Sequence, residues 1–149
     1  MEAEVTPPYG DYVSMVSYAP YGVVALISPW NSPITINALK MAPALAAGNS
    51  IILKPSEVTP GIGLEMGRIC HEIGIPAGVV NVVIGTGSDA GEDLIQNPDV
   101  RMISFTGGTN SGRRIASIAG QRLVPVALEL GGKSPNLVFA DSDLEKAAA

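Results

Sequence analysis

Short runs of β-branched and apolar residues alternate along the chain with longer segments whose apolar positions recur at helical spacing. The short runs predict strands at residues 22–27, 50–53, 79–84, 102–105 and 123–128. The longer segments predict helices at residues 34–47, 60–74, 89–97 and 110–119. Strands that alternate with helices form a parallel sheet with helices on its faces, and continuously apolar strands fit burial on both sides. The pattern therefore predicts an α/β domain built on a covered parallel sheet.

The positions of glycine and proline support these boundaries. Gly48 and Gly74 are placed to end the first two helices, and Pro60 is placed to begin the second. Residues 1–11 are polar with Pro and Gly, which indicates an arm or linker, and residues 12–18 alternate weakly, as in an edge strand. Residues 141–149 read as an N-cap and the first two turns of a helix. Because so short a helix seldom ends a domain, we expect the chain to be a fragment.

Composition narrows the class of protein. The chain has 149 residues, 46% hydrophobic and 15% charged, which fits one globular domain. A net charge of −5 disfavours nucleic-acid and anionic-membrane partners, and no apolar stretch approaches the length of a membrane span. A single Cys excludes an internal disulfide and a cysteine-based metal cluster, so no metal site is expected. The acidic N-terminus lacks an apolar signal region, so the expected compartment is the cytosol, or an organelle lumen if a targeting segment is missing.

Candidate chemistry collects where the predicted strands end. Ligands of open parallel sheets bind beyond the carboxyl ends of the strands, and these ends meet at one edge. Polar or Gly-rich turns follow every predicted strand, at residues 29–31, 54–57, 85–91, 106–112 and 129–133. This layout is typical of a nucleotide site, although Gly85-x-Gly87 is not the dinucleotide fingerprint.

Three of these turns have more than one interpretation, and two of them contain glycines or a possible ion pair. Gly107 and Gly108 precede a predicted helix, so their backbone N–H groups could approach an anion, or the glycines could only relieve backbone strain. Lys54 and Glu57 could clamp a sugar diol, or they could form a solvated ion pair. Taken alone, one Gly-Gly turn favours the plain loop, and a solvated ion pair is the commoner state of Lys and Glu.

Glu129 follows an apolar strand and lies between two leucines. A carboxylate in apolar surroundings tends to have a raised pKa, which suits a general base near neutral pH. The alternative is a partly buried Glu paired with Lys133, and the residues alone weigh the two equally.

Four segments together resemble the NAD(P)-dependent aldehyde dehydrogenase superfamily: PWNSP, LKPSE, SFTGGTNSG and LELGGKSPNLVFADSDLEKA, in the family's order and rough spacing. The resemblance covers about residues 16–149. It implies a Rossmann-like NAD(P)-binding domain at 19–149, truncated at its C-terminus and lacking the catalytic-cysteine domain. It also implies that residues 1–18 are an arm with a possible oligomerisation strand.

The resemblance assigns roles to individual residues. Asn31 resembles the amide that donates to the aldehyde oxygen in the oxyanion hole, held still by Trp30 and the flanking prolines, and Glu129 resembles the general base. Lys54 and Glu57 resemble a clamp on the adenosine ribose, and Gly87 would lie near the adenine. The implied cofactor contacts are Ser28, Pro29, Trp30, Asn31, Lys54, Ser56, Glu57, Gly87, Phe105, Thr106, Gly107, Gly108, Thr109, Glu129, Leu130 and Gly131.

The implied reaction needs a residue that this chain lacks. In the family a Cys thiolate attacks the aldehyde to give a thiohemiacetal, hydride passes to the nicotinamide, and water activated by the Glu hydrolyses the thioester. The nucleophilic Cys would lie beyond the Glu129 motif. Cys70 does not replace it, because it falls on an apolar helical stripe with Ile62, Met66, Ile69 and Ile73 and so reads as a core residue. His71 reads as a surface or edge residue.

A second departure from the family is Gly108, which stands where Ser is commonest and keeps only the backbone donor. The expected cofactor is NAD, since Glu57 would repel a ribose 2′-phosphate, although NADP is possible. The expected partners are a small aldehyde and further copies of the chain in a homo-oligomer. The alternative function is a non-catalytic nucleotide-binding or assembly module.

Overall fold

The computed structural model of the chain describes residues 4–148 and contains a parallel five-stranded sheet. Its strands are β3 (Val23–Ile27), β4 (Ser50–Lys54), β5 (Val80–Val82), β6 (Val100–Gly107) and β7 (Val126–Leu130). Their spatial order is β5-β4-β3-β6-β7, so the chain starts in the middle, builds one side and then crosses to the other. The predicted parallel α/β fold is confirmed, and its topological switch point lies between β3 and β6.

The sheet carries helices on both faces, as predicted. The helices are α1 (Pro33–Ala46), α2 (Pro60–Glu72), α3 (Glu92–Gln96) and α4 (Thr109–Arg122), followed by a short α5 (Leu144–Ala148). Alternate residues of β3 belong to two separate cores: Val24 and Leu26 pack with Met41 of α1, whereas Ala25 and Ile27 pack with residues of α3 and α4. The buried centre of the sheet is therefore a rigid base for the turns at its carboxyl edge.

Several predicted boundaries are confirmed. α1 and α2 each begin with a Pro in the first turn, where the missing N–H costs nothing. Gly48 and Gly74 follow the first two helices with φ values of 83° and 86°, a left-handed conformation that glycine adopts without steric cost. Asp143 accepts a bond from the N–H of Lys146 at 3.3 Å, so the last predicted helix begins where expected, although Ala149 lies outside the described residues.

Other boundaries differ from the prediction. The predicted helix at 89–97 begins as a π-helical turn, Gly87–Gly91, and becomes α-helical only at Glu92. α4 extends to Arg122, whose guanidinium donates to backbone carbonyls that include Val100 at 2.8 Å. Leu123 then takes a left-handed conformation and is 91% exposed, so β7 begins at Val126 rather than at 123.

Cys70 and its stripe also need correction. Cys70 is partly buried against the core beneath α2, as expected, but Ile69 and Ile73 of the same predicted stripe are exposed. The stripe fails because α2 turns only a narrow face, with Met66 and Cys70, toward β4 and β5. His71 is exposed, which confirms the prediction of a surface position.

The N-terminal region forms a separate two-stranded hairpin. β1 (Glu4–Tyr9) pairs antiparallel with β2 (Tyr12–Val16), so part of the predicted arm is a strand. Residues 1–3 of that arm lie outside the described residues. β2 lies in the segment where an edge strand was predicted, and its side chains are all exposed. No helix within residues 4–148 has the length and apolar character needed to cross a membrane.

Candidate active site

A cleft of about 600 Å³ opens at the carboxyl ends of β3, β4, β6 and β7. It lies beside the switch point, where an open parallel sheet is expected to bind its ligand. Every residue of the predicted site except Thr109 lines this cleft, and Ile27 joins them. The lining residues are Ile27, Ser28, Pro29, Trp30, Asn31, Lys54, Ser56, Glu57, Gly87, Phe105, Thr106, Gly107, Gly108, Glu129, Leu130 and Gly131.

The loop that carries Asn31 connects β3 to α1. The N–H of Ser28 donates to the carbonyl of Lys54 at 3.2 Å, which extends the sheet one residue beyond β3. The carbonyl of Trp30 accepts the Thr59 hydroxyl at 3.5 Å, whereas the indole is 62% exposed. The Trp30 backbone therefore makes an anchoring contact, and the role of its side chain in holding the loop stays a prediction.

Lys54 and Glu57 meet at the β4 side of the cleft. The Lys54 side chain is only 3% exposed, and its Nζ lies 3.9 Å from Oε2 of Glu57, whose side chain is half exposed. Nζ also donates to the carbonyl of Pro55 at 3.3 Å. Burial lowers the pKa of Lys54 from its ordinary value, and the Glu57 carboxylate opposes that effect. A buried ammonium with one half-exposed carboxylate is not the solvated ion pair of the alternative interpretation.

The Gly107-Gly108 turn forms the floor of the cleft before α4. A side chain at Gly107 would place its Cβ 2.6 Å from the Phe105 ring, so any larger residue would require that ring to move. At Gly108 and Gly87 a Cβ would meet nothing within 4 Å and would project into open space. Backbone N–H groups at the start of the 14-residue α4 are therefore accessible to an anion. Thr109 begins that helix but does not line the cleft.

Glu129 lies within β7, and its side chain is exposed. The side chain is more exposed than a carboxylate enclosed by apolar residues, because strand alternation packs Leu128 on the core and turns Glu129 to the other face, toward a cavity with a mostly apolar lining. The alternative partner is not found either, since no ion pair joins Glu129 to Lys133 within residues 4–148. Leu130 approaches α4 so closely that a Cβ at Gly112 would lie 2.5 Å from it.

Lys40 is a residue that the sequence analysis missed. It lies on α1, is 9% exposed, and donates from Nζ to the Ser104 hydroxyl at 2.8 Å. Burial lowers its pKa to about 8, while the negative charge of Glu129 acts in the opposite direction. Lys40 and Glu129 line the same cavity of about 800 Å³, next to the cleft. A signal was present, because Lys40 is four residues from both Ile36 and Ala44 on an apolar helical stripe.

A smaller cavity of about 400 Å³ continues the cleft between α3 and α4. Both spaces contact Ile27, Lys54, Gly87 and Phe105, so they form one continuous depression. The guanidinium of Arg114 on α4 pairs with both carboxylate oxygens of Glu92 on α3, with Nε at 2.9 Å from Oε2. This ion pair links the two helices beside the cavity. Together, the cleft and the smaller cavity offer room for an elongated ligand.

Comparison with known proteins gives a consistent result. The chain matches the aldehyde dehydrogenase family over residues 1–149. It is 50% identical over 147 residues to the peroxisomal aminoaldehyde dehydrogenase 1 of Pisum sativum, covering 99% of this chain and 29% of that protein. It is 47% identical over 146 residues to the chloroplastic betaine aldehyde dehydrogenase of Atriplex hortensis, covering 98% of this chain and 29% of that protein.

Solved structures agree with these relatives. PnpE in complex with nicotinamide adenine dinucleotide superposes with a TM-score of 0.94 at 47% identity, covering 99% of this chain and 30% of that one. The NAD⁺ complex of an aldehyde dehydrogenase from Bacillus cereus gives a TM-score of 0.94 at 41% identity, again covering 99% and 30%. The chain thus spans about 30% of the length of each of these four proteins.

Proposed function

Because this chain belongs to the aldehyde dehydrogenase family, we propose that it is the NAD-binding part of an enzyme that oxidises an aldehyde to a carboxylic acid. The observation that carries the proposal is the cleft at the switch point, which gathers residues from five separate turns. The activity is proposed for a longer protein, since the chain spans 29% of the relative from Pisum sativum. Within it, residues 19–149 are proposed to belong to the cofactor-binding domain.

NAD fits the residues that line the cleft. Gly87 and Gly108 leave open space where a side chain would project, so the backbone can approach a pyrophosphate held at the start of α4. Glu57 is positioned to accept bonds from ribose hydroxyls, with Lys54 as the neighbouring donor. The cavity between α3 and α4 would take the adenine end. NAD⁺ complexes of related structures favour NAD over NADP.

Asn31, after β3, and Glu129, in β7, both line the cleft. The Asn31 amide is proposed to donate a hydrogen bond to the aldehyde oxygen as negative charge develops on it. Glu129 is proposed to accept a proton from the water that releases the acid. NAD, when bound, supplies the hydride acceptor. The nucleophilic Cys is proposed to come from a segment outside this chain, because Cys70 packs beneath α2.

The substrate, assembly and compartment are proposed more coarsely. The names of the relatives make aminoaldehydes and betaine aldehyde the first substrates to test. Tyr12, Val13 and Met15 of β2 are large apolar side chains that are left exposed, which favours association, and we propose a homo-oligomer. We propose the cytoplasm as the compartment.

The test is aldehyde-dependent NAD reduction by the complete reading frame that contains these residues. Purified protein should produce NADH from NAD with betaine aldehyde or 4-aminobutanal, as measured by absorbance. Asn31→Ala should lower kcat by about 10²–10³, the usual effect of removing one oxyanion donor. Gln121→Ala, an exposed change on α4, is the matched control and should keep parental kcat.

A protein that binds NAD but reduces none with either aldehyde would contradict the proposal. That result would favour the alternative function of a non-catalytic nucleotide-binding module.

A further inference from the structure

Ser32, next to Asn31, has an uncommon backbone conformation. Its φ and ψ are 50° and 47°, in the left-handed region that non-glycine residues rarely adopt. Within residues 4–148, Leu123 is the other non-glycine residue with positive φ, and it lies at the exposed end of α4. Ser32 instead lies in the turn that carries a lining residue of the cleft.

Two further features make this conformation unfavourable. Ser32 precedes Pro33, and a proline disfavours helical backbone angles in the residue before it. Ser32 is also the N-cap of α1, a position where serine normally has extended backbone and accepts a bond from the helix, but here no side-chain cap bond forms. Glycine would adopt the same angles at lower cost. The chain therefore has a strained serine at a position where glycine would adopt the same angles with less strain.

The surrounding contacts show what this conformation achieves. Before Asn31, the loop is anchored by the Ser28 N–H and by the Trp30 carbonyl. After it, the carbonyl of Ser32 accepts the N–H of Ile36 at 3.0 Å, so the chain is committed to α1. Ser32 lies between these two fixed parts. Within residues 4–148 no hydrogen bond holds the Asn31 side chain, so the loop backbone fixes only the point from which the amide extends.

We propose that Ser32 is a positioning residue whose left-handed backbone, confined between Asn31 and Pro33, directs the Asn31 amide into the cleft. Backbone strain of this kind persists at functional sites where the surrounding structure enforces it. Glycine at position 32 permits many more backbone angles, so the Asn31 amide spends less time aligned with the aldehyde oxygen. The inference rests on the proposed role of Asn31 in aldehyde oxidation.

The test is a double-mutant cycle in the complete protein, with betaine aldehyde and NAD as substrates. Ser32→Gly should lower kcat about tenfold, keep the dissociation constant for NAD within twofold, and leave Tm equal or higher. Ser32→Asn, which tolerates left-handed angles better than most residues, should restore most of kcat. Ser32→Ala keeps the Cβ and removes the hydroxyl, so its kcat should exceed that of Ser32→Gly.

The background of Asn31→Ala separates positioning from a general structural effect. If Ser32 acts through Asn31, adding Ser32→Gly to Asn31→Ala should lower kcat no further. An additional tenfold loss in that background, or parental kcat in Ser32→Gly alone, would overturn the inference while aldehyde oxidation stands. If Ser32→Ala were as slow as Ser32→Gly, the hydroxyl would be responsible and the inference would also fall. A parent protein without aldehyde-dependent activity would overturn both this inference and the proposed function.

Discussion

The two ends of the cleft are built differently. At the β4 end, Lys54 is 3% exposed and its ammonium is held by the carbonyl of Pro55, while the Ser56 hydroxyl accepts the Val58 N–H. At the β7 end, Glu129 is exposed and Leu130 is 38% exposed. The end proposed for the adenosine half of NAD is thus largely preformed by this chain. The end proposed for the reaction is open on one side.

The position of each strand in the sheet explains this contrast. β4 lies between β3 and β5 and is covered by α1 and α2. The last residues of β4 are therefore held by packed neighbours. β7 is at the edge of the described sheet and pairs with β6 alone. One face of β7 packs on the core through Leu128, and the other borders the 800 Å³ cavity. Mutations at the β4 end should therefore change the affinity for NAD, and mutations at the β7 end should change kcat.

The largest effect is expected at the open end. Glu129→Gln in the complete enzyme should lower kcat by roughly 10²–10⁴, because the amide cannot accept the proton of the attacking water. Acylation does not use that proton transfer, so the first turnover of NADH should be spared. Stopped-flow absorbance would show an intact burst followed by a slow steady state.

Lys133→Gln is the matched control for Glu129→Gln, since it removes a nearby charge that forms no ion pair with Glu129 within the described residues. It should keep most of kcat. Loss of the burst in Glu129→Gln would show that the carboxylate acts before deacylation, and the division between the two ends would then be wrong.

A smaller effect is expected at the preformed end. Lys54→Met keeps the apolar stem and removes the buried ammonium, so NAD should bind about 10- to 100-fold more weakly, the usual range for a lost bond to a charged group. Saturating NAD should restore much of kcat, because the reaction end is unchanged. Isothermal titration calorimetry would measure the dissociation constant.

Lys146→Met, on the exposed α5, is the control for Lys54→Met and should leave NAD affinity unchanged. A fall in kcat that saturating NAD does not restore would mean that the two ends are coupled.

A still smaller effect is expected from Glu57→Gln. The carboxylate is half exposed, so solvent screens its repulsion of a ribose 2′-phosphate. The preference for NAD over NADP should narrow only a few-fold, with a larger change at low ionic strength. Dissociation constants for both cofactors, measured at two salt concentrations, would test this. If the ratio of the NAD and NADP dissociation constants is unchanged at both salt concentrations, Glu57 does not select the cofactor.

The sequence predicted the centre of the molecule better than its edges. The strands and helices around Val24 and Ile103 follow from apolar periodicity, because both faces of the sheet are buried there. The boundaries near Leu123 and Gly87 were missed, since a left-handed helix end and a π-helical turn depend on tertiary contacts such as those of Arg122. Periodicity contains no information about such contacts.

The candidate site shows the same division. The turns at Asn31, Lys54 and Gly107 could be found because glycine, proline and charged residues follow apolar runs. The exposure of Glu129 could not be found, since it depends on which neighbours cover β7. Lys40 was missed because a helical sequence does not say that its ammonium reaches Ser104 of β6.

The smallest effect is expected from the pH dependence of stability caused by Lys40. Burial lowers the Lys40 pKa from 10.5 to about 8 in the folded chain. Between these values the unfolded chain binds more protons than the folded chain, so the free energy of unfolding should rise with pH. One group contributes at most about 1.4 kcal/mol per pH unit, and the value of about 8 already includes the opposing charge of Glu129.

Lys40→Met removes this titration while other groups continue to titrate in both proteins. Urea denaturation at several pH values measures the free energy of unfolding of both proteins. The variant should exceed the parent most at pH 7, and the difference should shrink toward pH 10. A difference between the two proteins that stays constant over this range would mean that the Lys40 ammonium remains hydrated. Water would then reach the space between α1 and β7 as freely as it reaches Glu129. The open end of the cleft would in that case include this space.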